Sequence, residues 1–241
     1  TQILDDAVRA SYGRDIERFQ TEYAVLARQK GFDPDHNPIF TLDSFDKSNG
    51  TRDFSLGRVE FRDYHALKKL MYQHPSDERL LQQFVTLSMI VHLETADHHL
   101  VLGHRGGEHL PNRYLPPAGF HEYDSQVSPE YFKKKCIEEI TEEVGIPFDG
   151  EISYIGLTGD TRDSFLDVCV FLGKTKKTIE DVEASFQASG AKDEHSHLIY
   201  LPASSEAICS FLRGDYSGVV NPFQNIVFEN GSCAQGPKEI K

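Results

Sequence analysis

From Phe84 to about residue 214, short apolar runs alternate with helical ones, and this alternation restricts the fold more than any other feature. FVTLSMIVHLE (84–94) and HLVLGHR (99–105) read as two strands around the turn ADHH. EISYIGLTGD (151–160), SFLDVCVFLG (164–173) and SHLIYLP (196–202) read as three more. Between them, Pro129 to Val144, TIEDVEASFQASG (178–190) and SSEAICSFLRG (204–214) have helical character. Strands and helices in alternation predict a mixed α/β sandwich over 84–214. The loop GGEHLPNRYLPPAG (106–119) is rich in glycine, proline and charge.

Residues 1–83 read differently. Ile16, Phe19, Tyr23 and Leu26 form one apolar stripe within a helix at 3–30, which Gly13 would split in two. PIFTLDSF and RDFSLGRVEF then flank the breaker DKSNG as a strand pair, and residues 63–73 form another helix. The expected organisation is therefore an extension at 1–83, a domain at 84–214 and a loose segment at 215–241. There is no internal repeat.

The chain of 241 residues carries 25 Lys and Arg against 38 Asp and Glu, a formal charge of −13. Such a surface repels polyphosphates and anionic lipids, so neither nucleic acid nor membrane is an expected partner. A small anionic ligand handled through a divalent cation stays compatible with it. No apolar run approaches the roughly 18 residues of a membrane span. TQILDDAVRA has neither the basic start nor the apolar core of a secretion signal. Cys136, Cys169, Cys209 and Cys233 are widely spaced and read as reduced thiols. A cytoplasmic location is the expectation.

The chemistry concentrates in one helix. Ser128 suits the N-cap, Pro129 the first helical position and Gly145 the residue past the end. Within it, Glu139 lies three residues from Glu142 and four from Glu143, so the three carboxylates share a face. Glu138 and Glu142 add a further like-charge pair, and each such pair costs a few tenths of a kcal/mol on an exposed helix. Lys134–Glu138 and Lys135–Glu139 are also four apart, so a solvated mixed-charge helix is the plain alternative. A hard divalent cation turns the cost into binding, because Mg²⁺ and Mn²⁺ prefer carboxylate oxygens.

Residues 138–146, Glu-Glu-Ile-Thr-Glu-Glu-Val-Gly-Ile, resemble the second half of the Nudix box, G-x5-E-x7-R-E-U-x-E-E-x-G-U with U apolar. Glu139, Ile140, Glu142, Glu143, Gly145 and Ile146 match six fixed positions in order. Glu130 stands where the box has its first Glu, and Pro117-Ala118-Gly119 is similar to the Pro-Ala-Gly that precedes the box. The sequence departs from the pattern twice. Glu138 replaces the box Arg, and ten residues rather than five separate Gly119 from Glu130.

The resemblance implies a Nudix-type α/β/α sandwich with a mixed sheet, here with an N-terminal helix-and-hairpin extension. It implies a metal-dependent pyrophosphohydrolase that cleaves a nucleoside diphosphate linked to another moiety, of the nucleotide-sugar or ADP-ribose type. Mg²⁺ or Mn²⁺ would be the cofactor, held by Glu139, Glu142, Glu143 and the Gly119 carbonyl, with Glu130 in support. Glu194, next to Asp193 in a later loop, is the expected general base. Arg105 and Arg113, with His104, flank the loop where phosphate or sugar would be held. Tyr114, Phe120 and Tyr123 are candidates for base stacking in a chain without Trp, with packing as their plainer role. His195 and His197 read as edge or partly buried strand residues. By the same resemblance, a hairpin at 38–61 would either build a homodimer or shape the substrate pocket. The two departures motivate a second reading, a catalytically weak Nudix domain that binds or senses a nucleotide sugar.

Overall fold

The computed structural model describes residues 4–210 apart from 30, 32, 36, 47–52, 82, 84, 106–113, 121, 125–126, 160–165 and 192–194. Contacts divide the chain into two compact units. One comprises Thr1–Ser88, Phe120–Val127 and Gly159–Val168; the other comprises Met89–Gly119, Ser128–Thr158 and Cys169–Lys241.

The first unit opens with α1 (Asp6–Gln29), whose backbone departs from helical geometry at Tyr12, one residue before the expected break. Ile16, Phe19 and Tyr23 are buried as their spacing predicts. Leu26 instead faces solvent and Ala27 takes the inward place, because 16, 19, 23 and 27 follow the 3.6-residue period more closely. Strands β1 (Pro38–Asp46) and β2 (Asp53–Glu60) pair antiparallel, from Pro38 opposite Glu60 to Asp46 opposite Asp53. Helix α2 (Phe61–Gln73) follows β2 without a loop, and a short α3 (Glu78–Leu81) lies beyond the turn. Val8, Phe19, Ile39, Val59, Leu67 and Leu70 belong to one core cluster of this unit. Phe120 packs on Phe61 and Tyr64, and Tyr123 on Phe40, so both aromatics serve packing.

The remaining strands are β3 (Thr86–Glu94), β4 (His99–Arg105), β5 (Tyr114–Leu115), β6 (Ala118–Phe120), β7 (Glu151–Gly159), β8 (Leu166–Lys174) and β9 (His195–Pro202). With α4 (Pro129–Val144), α5 (Ile179–Ala188) and α6 (Ser205–Ser210), they make a mixed α/β fold with a mixed sheet. In the second unit β4 pairs antiparallel with β3, β5 and β9. Strand β8 pairs with β7 and β3. β5 and β6 fall inside the segment read as loop, since two- and three-residue strands show no periodicity. Among the described residues no helix is long and apolar enough to cross a membrane. Cys136 and Cys169 are buried free thiols, and burial pushes the Cys136 thiol well up. The side chain of Cys209 and all of Cys233 lie outside the described residues.

Candidate functional site

Helix α4 forms where its end signals place it. The Ser128 hydroxyl accepts from the Tyr131 N–H at 3.2 Å, and Gly145 ends the helix at φ 75°. That left-handed conformation costs a glycine little, and the Gly145 N–H closes on the Thr141 carbonyl. Cys136, Ile140, Glu143 and Val144 form the buried stripe. Three of these are apolar or thiol groups that suit a face laid on a sheet. Ile140 lies beside Gly173 of β8, within ordinary contact distance of where a Cβ would stand. Glu143, at 3% exposure, brings a carboxylate into that stripe.

A carboxylate so deeply buried is costly unless it is paired and hydrogen-bonded. Three donors face Glu143 among the described residues. Arg105 Nη2 lies 3.3 Å from its Oε1, the Ala118 N–H donates to Oε2 at 3.3 Å, and His195 Nε2 lies 3.1 Å from Oε2. An ionised carboxylate only accepts, so against it His195 carries a proton on Nε2.

A bulge brings His195 there. Arg105 pairs with His195 while His104 pairs with His197, so Ser196 is the extra residue on β9. Residues 195 and 197 would otherwise share a face. The bulge turns His195 inward to 1% exposure and leaves His197 outside, stacked on His104 with ring centroids 4.6 Å apart. Gly103 completes the arrangement, because a Cβ there would strike the His195 ring. Tyr114 joins the outer row, with its ring centroid 4.8 Å from that of His104.

The other glutamates of the helix take different places. Glu139 is half-buried, and its carboxylate occupies the space that a Cβ on Gly119 would fill. Glu142 is exposed. Glu138, at the departure from the box, meets Lys135 Nζ at 2.6 Å and Lys134 Nζ at 3.5 Å. The Lys135 ammonium holds the Glu138 carboxyl below its ordinary range against a smaller opposing effect of burial. Glu130 is exposed in the first turn. Arg105 points at Glu143, while Arg113, Asp193 and Glu194 lie outside the described residues.

Among the described residues, no group of three or more His, Cys, Asp or Glu side chains is gathered closely enough to hold a metal ion. The donor chemistry of Glu139 nevertheless suits a hard cation: a carboxylate pressed on a glycine backbone, on the same helix as the exposed Glu142. Glu143 in this arrangement already accepts from donors at both of its oxygens. The sequence supplied Glu143 and Arg105 separately. It held no sign that they meet, or that His195 joins them, because the Ser196 bulge is a property of pairing.

An EExxEE helix capped by Ser128 and Gly145 closes on a Pro-Ala-Gly turn within a mixed α/β fold. These are the residues whose pattern resembles the Nudix box. The sequence matches no family model and no curated protein. Among solved structures the chain is similar to a mutT/nudix family protein from Listeria innocua, at 16% identity over 48% of this chain and 77% of that one, TM-score 0.35. It is also similar to the NUDIX domain of Shewanella oneidensis NrtR complexed with ADP ribose, at 13% identity over 56% and 82%, TM-score 0.35. A third likeness is a bifunctional NMN adenylyltransferase/ADP ribose pyrophosphatase from Francisella tularensis, complexed with AMP and a Mn ion. Its identity is 14% over 58% of this chain and 38% of that one, TM-score 0.34. Each is a likeness, and none assigns an activity to this chain.

Proposed function

We propose that this Nudix-type chain is a metal-dependent hydrolase that cleaves the diphosphate of a nucleoside diphosphate linked to another moiety, of the nucleotide-sugar or ADP-ribose type. The observation that carries the proposal is the Glu139 carboxylate lodged against Gly119, one helical turn from Glu142. Glu139, Glu142 and the Gly119 carbonyl are the groups that would hold Mg²⁺ or Mn²⁺. When bound, such a cation lowers the pKa of a coordinated water and neutralises developing phosphate charge.

The protein's own part follows from its charge. An acidic chain repels a diphosphate, and the same carboxylates that repel it are the ones that bind the neutralising ion. Glu194 is the proposed base that takes the proton of the attacking water, and Arg113 a proposed contact to phosphate or sugar. Arg105 serves Glu143 in this arrangement, which leaves Arg113 the better candidate of the two. A cytoplasmic location belongs to the same proposal, as does a β1–β2 hairpin that either builds a homodimer or shapes the substrate pocket.

A second reading has its own support: Glu138 in place of the box Arg and the lengthened loop between Gly119 and Glu130 favour a domain that binds a nucleotide sugar and turns it over poorly. A substrate panel separates the two. ADP-ribose, UDP- and GDP-sugars, diadenosine polyphosphates, NADH, CoA and nucleoside triphosphates are each offered with Mg²⁺ and with Mn²⁺. The hydrolase reading predicts metal-dependent release of a nucleoside monophosphate that Glu139→Gln abolishes. Binding without turnover would establish the sensor reading. Neither binding nor turnover across the panel would overturn both.

A further inference from the structure

We propose that Glu143 is a positioning residue and not a metal ligand: clamped by Arg105 and His195, it holds the Ala118–Gly119 turn against α4 so that Glu139 is presented to the ion. The inference rests on the hydrolase reading for the role of Glu139, but the clamp itself stands on contacts alone.

Both oxygens of Glu143 are already engaged. Oε2 of Glu143 faces two donors, His195 Nε2 at 3.1 Å and the Ala118 N–H at 3.3 Å. Its other oxygen, Oε1, faces the Arg105 guanidinium at 3.3 Å. A metal ion on Glu143 would be left the remaining lone-pair site on Oε1 and would settle there beside the positively charged Arg105 guanidinium. The guanidinium neutralises the buried carboxylate without any metal.

Several separate features converge on this contact. The Ser196 bulge turns His195 towards α4, away from the face His197 takes. Gly103 is bare where the His195 ring lies. Arg105 ends β4 directly opposite His195 in the register. Three strand positions on two strands are thus arranged around one carboxylate, which is more than an exposed ligand would require.

The Ala118 N–H that Glu143 accepts belongs to the residue before Gly119, and Gly119 is the backbone against which Glu139 rests. Loss of the Glu143 contact frees this turn, and Glu139 loses its support without losing its own oxygens. Glu143 therefore acts on the ion through Glu139.

The test uses the full chain and two measurements: thermal unfolding in excess chelator, and Mn²⁺ binding by electron paramagnetic resonance at a temperature where each variant is folded. Glu143→Gln is expected to lower the metal-free Tm by roughly 5–10 °C. Arg105→Met should do the same, and the double variant should lose no more than the worse single one, because both remove one contact. Folded Glu143→Gln should bind the same number of Mn²⁺ ions with a dissociation constant raised up to about tenfold. Glu139→Gln should keep its metal-free Tm and lose the binding. His195 supplies a further pair: His195→Leu should behave like Glu143→Gln, while His195→Gln, which can donate from a similar place, should restore tight Mn²⁺ binding. That pair carries the test should Glu143→Gln fail to fold.

An unchanged or raised metal-free Tm in Glu143→Gln, with Mn²⁺ binding lost, overturns the proposal and makes Glu143 a ligand. Weak Mn²⁺ binding in both His195 variants also overturns it. A wild-type protein that binds no Mn²⁺, with Tm still lowered in Glu143→Gln, overturns the hydrolase reading and upholds the clamp.

Discussion

Glu138 and Glu143 lie five residues apart on α4, and both face cations, one in water and the other in the protein interior. Glu138 meets the exposed Lys134 and the half-buried Lys135 on the solvent side of the helix, where solvent screens the attraction and ordering the side chains offsets it. Contacts of that kind contribute about 0–1 kcal/mol. Glu143 meets an arginine, a histidine and a backbone N–H where almost no water reaches. There, removing one partner strands the other charge in a poor solvent, which costs about 3–5 kcal/mol. Depth, more than distance, separates a decorative ion pair from a structural one: the 2.6 Å contact of Lys135 with Glu138 belongs to the weaker case.

The largest expected effect is therefore at Glu143. Glu143→Ala should destabilise the metal-free protein by about 3–5 kcal/mol in chemical denaturation, since it takes the carboxylate away from the half-buried Arg105 cation and the buried His195. A loss below about 1 kcal/mol would put Glu143 in the class of Glu138 and break the comparison.

His92 sharpens the comparison with a buried group that burial keeps neutral. Burial pushes its pKa down to about 4, whereas an unfolded chain protonates it near 6.5. The unfolded state thus takes up the proton first as pH falls. Its contribution is fully present above about pH 6.5 and declines as pH drops towards 4, by at most about 3 kcal/mol. Urea denaturation across that range should show the decline, and His92→Leu should flatten it.

A smaller effect is expected at the start of the helix. Ser128→Ala removes the acceptor for the Tyr131 N–H and should cost about 1 kcal/mol, read as a lower denaturation midpoint at unchanged slope. Least of all should come from Glu138→Gln, within about 0.5 kcal/mol by the same measurement and smaller still in high salt. A larger loss there would mean that Glu138 is more than a screened surface charge.

What the sequence disclosed follows the same division between local and non-local physics. The caps of α4 are local chemistry, so Ser128, Pro129 and Gly145 mark its ends as they stand in the structure. Strands β3, β4, β8 and β9 announce themselves as apolar runs. The spacing of Glu139, Glu142 and Glu143 is local too, and it places them on one helix. Their division into half-buried, exposed and buried depends on what the helix lies against, which spacing does not encode. The Ser196 bulge, the bare Gly103 beneath His195 and the aim of Arg105 arise from pairing between strands nearly a hundred residues apart in sequence. Short α3, with Asp77 gripped by Arg79 and Tyr12, also depends on such a contact. The Arg79 guanidinium, with the Tyr12 hydroxyl, holds the Asp77 carboxyl well below its ordinary range.

The central claim is that this helix carries an ion through Glu139, and a direct titration with Mn²⁺ tests it. Paramagnetic resonance of the free ion should show saturable binding to the wild-type chain and to Glu138→Gln, and none to Glu139→Gln. Wild-type protein without saturable binding, or Glu139→Gln binding as tightly as wild type, would contradict the claim.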